Sequence, residues 1–191
     1  MLNWPRTLRR KMNLVSLNSR FARPEWERRF LLDQSPVNAS ITRVRQIADR
    51  YIIGTRLRLR RISDSDGAVA FKLTQKLDRG AAGAFQGQLT TIYLTEEEYN
   101  ILTALPACSL EKTRYSVPPF GVDVFKGNLA GLILAEAEFS SVEEAAALKL
   151  PGYFIQEVTS DQRFTGGYLS IATRQQLIVQ LQGFGITLDP L

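Results

Sequence analysis

Short stretches in which charged and apolar residues alternate one for one recur from Pro24 to Phe139. TRLRLRRI (55–62) is the clearest. Side chains on a β-strand point to opposite faces with a period of two. Arg56, Arg58 and Arg60 therefore share one face, and Leu57 and Leu59 take the other. A chain made of such segments is committed to sheets with one polar and one apolar face. Three guanidiniums side by side also repel one another unless something negative lies among them.

The turn signals divide the rest accordingly. PEWERRFLL (24–32) reads as a strand with Trp26, Arg28 and Phe30 on one face and Glu25, Glu27 and Arg29 on the other. SPVNASITRVRQIADRYII (35–53) reads as a short helix followed by a strand near Tyr51–Ile53. SDSDG (63–67) is a turn, so TRLRLRRI and AVAFKLTQK (68–76) form a hairpin. LDRGAAGAFQG (77–87) is a loop and QLTTIYL (88–94) a strand. Thr95 followed by Glu98 is a capping box that starts a helix. CSLEKTRYSV, FGVDVF and LILAEAEF are three further strands, with Pro118–Pro119 ending the first of them. SSVEEAAALKL (140–150) is a short helix, IQEVT (155–159) is extended, and an amphipathic helix is expected over Leu169–Leu181. The whole is α+β: seven or eight antiparallel strands in a closed or nearly closed barrel with helices packed outside.

Composition narrows the chemistry. The 191 residues contain no histidine and one cysteine, Cys108. Imidazole acid–base chemistry, zinc–histidine sites and internal disulfides are thereby excluded, and a metal must sit on oxygen ligands such as Mg²⁺, Mn²⁺ or Ca²⁺ favour. The formal charge of +5 is unevenly placed. Residues 1–24 hold six basic residues and no acid; removing these six from 24 leaves 18 against 19 acids. Residues 1–23 read as a flexible basic leader, with 24–191 as one domain. No apolar run approaches a membrane span of about 20 residues, and the expected location is cytoplasmic.

Taken singly, each alternating strand reads as a solvated sheet face. Together, several of them do not mix signs. Some carry only cations (Arg56, Arg58, Arg60; Lys72, Lys76; Lys112, Arg114) and another only acids (Glu136, Glu138), with Asp123 on a strand between. A closing sheet would set a basic wall against an acidic one. That arrangement suits a polyanion on the cations, with divalent ions between it and the carboxylates.

These motifs, in this order, resemble the CYTH or triphosphate tunnel metalloenzyme family. PEWERRFLL is similar to its opening E-x-E-x-K signature. TRLRLRRI with AFKLTQK is similar to its paired basic strands, LEKTRYSV to its K-x-R-Y strand, VDVFKGNLAGLILAEAEF to the hairpin ending in A-E-x-E, and IQEVTSDQRFTGGYL to the terminal E-V-T-x-D-x-R segment. The resemblance implies an eight-stranded tunnel binding a triphosphate with Mg²⁺ or Mn²⁺. Family activities include inorganic triphosphatase, thiamine triphosphatase and adenylate cyclase.

Carried onto this chain, it implies catalytic roles for Glu25, Glu27 and Arg29. It implies substrate binding by Arg56, Arg58, Arg60, Lys72, Lys76, Lys112, Arg114 and Arg163. Glu25, Glu27, Asp123, Glu136 and Glu138 would bind metal.

Four positions depart from the family pattern: Arg29 replaces lysine, QGQLTTIYL lacks the middle-strand acids, Gly121 stands in place of an acid, and Gly166 in place of asparagine. The acidic wall is thinner and the basic wall intact. Two readings follow. One is metal-dependent hydrolysis of a triphosphate, inorganic tripolyphosphate first and a nucleoside triphosphate second. The other is a degenerate CYTH domain that binds polyphosphate or a nucleotide or RNA triphosphate with little catalysis. Adenylate cyclisation lacks identifiable base-pocket residues. A nucleic-acid partner is not expected, since no aromatics interleave with the arginines. A homodimer is left open.

Overall fold

A computed structural model describes residues 23–35, 40–78, 86–150, 152 and 154–189. The basic leader, and most of the Gly/Ala loop between 77 and 87, lie outside the described residues.

The fold is α+β with a nine-stranded antiparallel sheet. The strands are β1 (Arg23–Leu32), β2 (Arg43–Ile52), β3 (Leu57–Asp64), β4 (Val69–Asp78), β5 (Gln86–Leu94), β6 (Ala107–Val117), β7 (Phe120–Phe125), β8 (Ile133–Phe139) and β9 (Phe154–Glu157). The helices are α1 (Glu96–Leu102), α2 (Val142–Ala147), α3 (Gly166–Leu169) and α4 (Arg174–Gln182). Strand order is β5-β4-β3-β2-β6-β7-β8-β1-β9. β1 is shared: Arg23–Trp26 also pair with Gln86–Leu89 of β5, and Phe30–Leu32 with β9. The pairings therefore run from β1 through seven other strands and return to it.

Three sequence expectations change. The eight strands become nine through the added β9. The helix placed before Tyr51 is not found among the described residues; β2 begins at Arg43. Its composition permits a helix, but β2 forms complete ladders with both β3 and β6, and that pairing overrides local preference. The helix expected over Leu169–Leu181 is α4, which starts only at Arg174, behind a capping box of Thr173 with Gln176; Leu169 instead ends α3. The Thr95–Glu98 capping box is present as expected and opens α1.

Along several strands one face changes character from end to end. Leu31 is followed in reverse by Arg29 and Glu27; Leu134 precedes Glu136 and Glu138; Phe125 follows Asp123; Leu110 precedes Lys112 and Arg114. The apolar end of this face, Leu31, Leu110, Phe125 and Leu134, packs with Phe164, Leu169, Leu177 and Leu181 of the C-terminal segment. The opposite face buries Phe30, Leu32, Phe120, Val122, Ile133, Ala135 and Ala137. Phe30 meets Phe154 and Phe120 edge-on at 5.1 and 6.1 Å between ring centres. Two packed faces thus hold the sheet, and the charged residues occupy the uncovered remainder of the first.

That first face is concave. Arg58 on β3 feels the charge of Glu136 on β8, and Lys76 on β4 comes within 3.7 Å of Glu27 on β1. None of these strand pairs is adjacent in the sheet order.

Candidate functional site: a charged concave face

The site is a chain of ion pairs. On β1, Arg29 is bonded by one nitrogen to Glu27 and donates Nε–H to Glu136 Oε1 at 3.0 Å. The second Glu136 oxygen accepts from Arg114. Arg114 also forks onto Asp123, at 2.6 and 2.5 Å, and Lys112 Nζ reaches the same carboxylate at 2.5 Å. The strand registers dictate this. Arg29 is opposite Glu136, Glu136 opposite Gly121, and Arg114 opposite Asp123.

A second group lies on β2 and β3. Asp49, buried, accepts a bidentate pair from Arg60 at 2.6 and 2.7 Å, and Arg58 lies 3.8 Å away. Tyr51, two residues on, lies directly opposite Arg58 on the same face. Asp49 and Tyr51 are absent from the sequence-derived site because the sequence reads as a short helix with a strand only near Tyr51–Ile53, so Asp49 has no strand face and Tyr51 no partner strand. The alternation Arg45, Ile47, Asp49, Tyr51 was the available signal.

Burial and charge set the protonation states. Burial alone would raise the Glu136 carboxyl, but Arg114, Lys112 and Arg29 hold it well below the usual carboxylate range. Burial likewise opposes Asp49, and Arg60 and Arg58 outweigh it, so Asp49 is also lowered. Burial lowers the Lys112 ammonium despite the attraction of Asp123. Burial would lower Arg29 as well, but Glu136 and Glu27 keep it raised.

Because the folded values of Asp49 and Glu136 lie below their unfolded ones, the stability they contribute is complete above the ordinary carboxylate value of about 4. It is lost as pH falls through the folded values. Urea midpoints should hold steady from pH 7 towards 5 and fall steeply below about 4, and Asp49→Asn should flatten that fall.

The remaining sequence-derived residues fall into place unevenly. Lys72 sits 4.8 Å above the Tyr93 ring. Lys76 stands at the rim with a half-exposed side chain. Glu138 is exposed on β8 opposite Glu27, and among the described residues no ion pair holds it. Arg56 precedes β3 in an exposed bend, so it does not continue the stripe of Arg58 and Arg60. Arg163 forks onto Asp161 in the Gln162–Phe164 turn. The backbone of Glu25 pairs with Gly87, but its side chain lies outside what is described.

The two glycine departures have structural counterparts. A Cβ on Gly121 would sit 3.3 Å from Arg114 Cδ, so the missing side chain lets Arg114 lie across β7. A Cβ on Gly166 would lie 1.9 Å from the Tyr51 hydroxyl. Gly166→Ala should therefore displace Tyr51 and cost about 1–3 kcal/mol, read as a lower urea midpoint. Tyr51→Phe in that background should recover part of the loss, since the hydroxyl is the nearest atom.

Oxygen donors for a divalent cation were tested against this geometry. Among the described residues no three acidic or thiol groups are gathered as a ligand set. The deep carboxylates do not fit one. Both oxygens of Asp123, Glu136 and Asp49 face cations. Glu27 likewise has one oxygen on Arg29 and the other facing Lys76. Glu138, directly opposite it on β8, is exposed and has no ion-pair partner among the described residues, so of these acids it has its oxygens available to a cation.

No protein-family model matches the chain. An inorganic triphosphatase of Nitrosomonas europaea is 43% identical over 68 residues, which is 33% of this chain and 45% of that protein. The match thus spans less than half of that relative's length. Two crystal structures of the protein NE1496 superpose with TM-scores of 0.52 and 0.51, at 28% and 27% identity over 78% of this chain and 99% and 95% of theirs. One describes it as a hypothetical protein and the other as the inorganic triphosphatase NE1496. The fold is CYTH-like. The antiparallel α+β sheet expected from the sequence holds on this comparison. Among the described residues, no helix of this CYTH-like chain is long and apolar enough to cross a membrane.

Proposed function

We propose that the concave face is the wall of a tunnel that takes a linear triphosphate, and that the protein hydrolyses it with the help of Mg²⁺ or Mn²⁺. One observation carries this reading. Among the described side chains, the basic ones sharing that face (Arg29, Arg43, Arg45, Arg58, Arg60, Lys72, Lys76, Lys112 and Arg114) outnumber its carboxylates (Glu27, Asp49, Asp64, Asp123, Glu136 and Glu138). Internal pairing leaves an excess of positive charge around a concave surface, which is what a compact polyanion needs. The return of pairing from β5 to β1 supports enclosure. The sequence and structural likeness to an inorganic triphosphatase supports tripolyphosphate as the substrate.

Roles divide by depth. Arg58, Arg60, Lys112 and Arg114 bind the phosphate chain, with Lys72 and Lys76 nearer the rim. Asp49, Asp123 and Glu136 act as fixed counter-ions that hold those cations in place before substrate arrives. Glu27 and Glu138, with Glu25 two residues earlier on the same strand face, would hold the divalent cation. When bound, it neutralises phosphoryl oxygens and activates a water. Arg29 links the two zones through Glu27 and Glu136. Arginine stays protonated near neutral pH, so its part is to orient and neutralise, not to exchange a proton. Phosphoryl transfer needs positioning and charge stabilisation more than a side-chain base, which suits a chain without histidine.

A second reading, capture of a polyphosphate or of a nucleotide or RNA triphosphate without turnover, is favoured by one feature. Asp123 and Glu136 already give their oxygens to cations, so the deep cluster is assembled without metal. Release of phosphate from tripolyphosphate with Mn²⁺ or Mg²⁺ decides between them. Turnover that stops on chelation supports the hydrolase. Binding that survives chelation, with no turnover under any metal, supports the capture module.

A further inference from the structure

Arg45 on β2 belongs to no sequence motif, yet it lies on the concave face opposite Arg114 of β6 and Asp64 of β3. Its nearest acids are committed elsewhere. Asp64 is bonded by Arg43, and Asp123 is shared by Lys112 and Arg114. Among the described residues no carboxylate comes within ion-pair distance of Arg45. Its one hydrogen bond there is to a neutral acceptor, Ser116 Oγ, at 3.0 Å. Its Nε is shut off from solvent and bonds nothing. The Nε of Arg58, on the neighbouring strand and the same face, is in the same condition.

A buried guanidinium N–H without an acceptor is costly, and more so beside a second guanidinium. Burial and the charges of Arg114 and Arg43 make Arg45 easier to deprotonate than an ordinary arginine. Arg29, Arg60 and Arg114 each contact a carboxylate, and Arg45 does not. An oxyanion placed between β2 and β6 would supply the missing acceptor and separate Arg45 from Arg114.

We propose that Arg45 is a further substrate-binding residue, one whose ion-pair partner is a phosphate oxygen of the triphosphate itself. This rests on the triphosphate reading above. Where Asp49, Asp123 and Glu136 preset the other arginines, Arg45 stays uncompensated until the anion arrives, so its contribution goes to binding and not to folding.

The test compares wild type, Arg45→Gln, Arg45→Lys and Arg61→Gln, the last on the outward face of β3. Tripolyphosphate is titrated calorimetrically with chelator present, and KM for Mn²⁺-dependent phosphate release is measured on the same proteins. Arg45→Gln should weaken binding, or raise KM, about tenfold or more. Its thermal midpoint should be unchanged or raised, because a half-buried cation with no carboxylate partner among the described residues has been removed. Arg45→Lys should fall between the two, and Arg61→Gln should match wild type.

Wild-type affinity and KM in Arg45→Gln would overturn the assignment and leave the triphosphate reading intact. A lowered thermal midpoint with unchanged affinity would make Arg45 structural and also overturn it. If Arg45→Gln does not fold, wild-type affinity in Arg45→Lys does the same, since a lysine cannot reproduce a forked contact. Wild-type protein that neither binds nor cleaves tripolyphosphate would overturn the triphosphate reading and this assignment together.

Discussion

Asp123→Ala is expected to cost about 3–5 kcal/mol of folding stability, the range for breaking a buried ion pair from one side. Asp123 is fully buried, and its two oxygens take Lys112 and both prongs of the Arg114 fork. Removing the carboxylate leaves two cations facing each other with Glu136 as the nearest remaining acid. Urea unfolding measures the loss directly. Asp123→Asn should cost less, because the amide oxygen still accepts one of the hydrogen bonds. The pair Lys112→Met with Asp123→Leu should cost less than Asp123→Ala alone, since it removes one of the two stranded cations and leaves Arg114 with Glu136. A cost of less than about 1 kcal/mol for Asp123→Ala would mean that the carboxylate is not the counter-ion of this cluster.

Glu138→Ala should do the opposite. Glu138 is exposed, opposes Glu27 across the β1–β8 pair, and has no ion-pair partner among the described residues. Its loss should leave the urea midpoint unchanged or slightly higher, because a like-charge contact disappears. Metal-dependent phosphate release should fall by about 100-fold or more, equivalent to about 2.7 kcal/mol of transition-state stabilisation. Tripolyphosphate affinity in chelator should change little, since removing an acid from the rim takes nothing from the basic cluster. The contrast between the two acids separates counter-ions from candidate metal ligands. Equal loss of stability in both would erase that division of roles.

How much of this could be read in the chain depended on where the information is local. Strict alternation placed β1, β3, β4, β6, β7 and β8 and put the correct side chains on a common face. The cap at Thr95 fixed α1, because a capping box is a contact over three residues. β2 was missed because Ala48, Gln46 and the arginines around them suit a helix as well as a strand, and only pairing with β3 and β6 decides. With β2 went Asp49, Tyr51 and Arg45, and so the partners that fix Arg58 and Arg60 and the cation that lacks one. Thr173 opens the last helix by the same kind of cap that marks the first, so α4 begins at Arg174 and not at the expected Leu169.

The fate of the acids was not legible at all. Asp123 and Glu136 have the residue type and strand face of metal ligands, and the sequence offers no hint that their oxygens go to Lys112, Arg114 and Arg29. That depends on registers between strands distant in sequence, Arg114 opposite Asp123 and Arg29 opposite Glu136. The glycines show the same limit. In the sequence, Gly121 reads as a lost acid and Gly166 as a lost asparagine. In the fold, one gives Arg114 its path and the other leaves room for the Tyr51 hydroxyl.

Diffraction from crystals grown with tripolyphosphate and chelator tests the central claim most directly. The account predicts phosphate density on the concave face, with oxygens within hydrogen-bond distance of Arg58, Arg60 and Arg114 and the carboxylates of Asp49 and Asp123 still paired. Density confined to the exposed arginines outside that face, such as Arg56, Arg61 or Arg163, would contradict it.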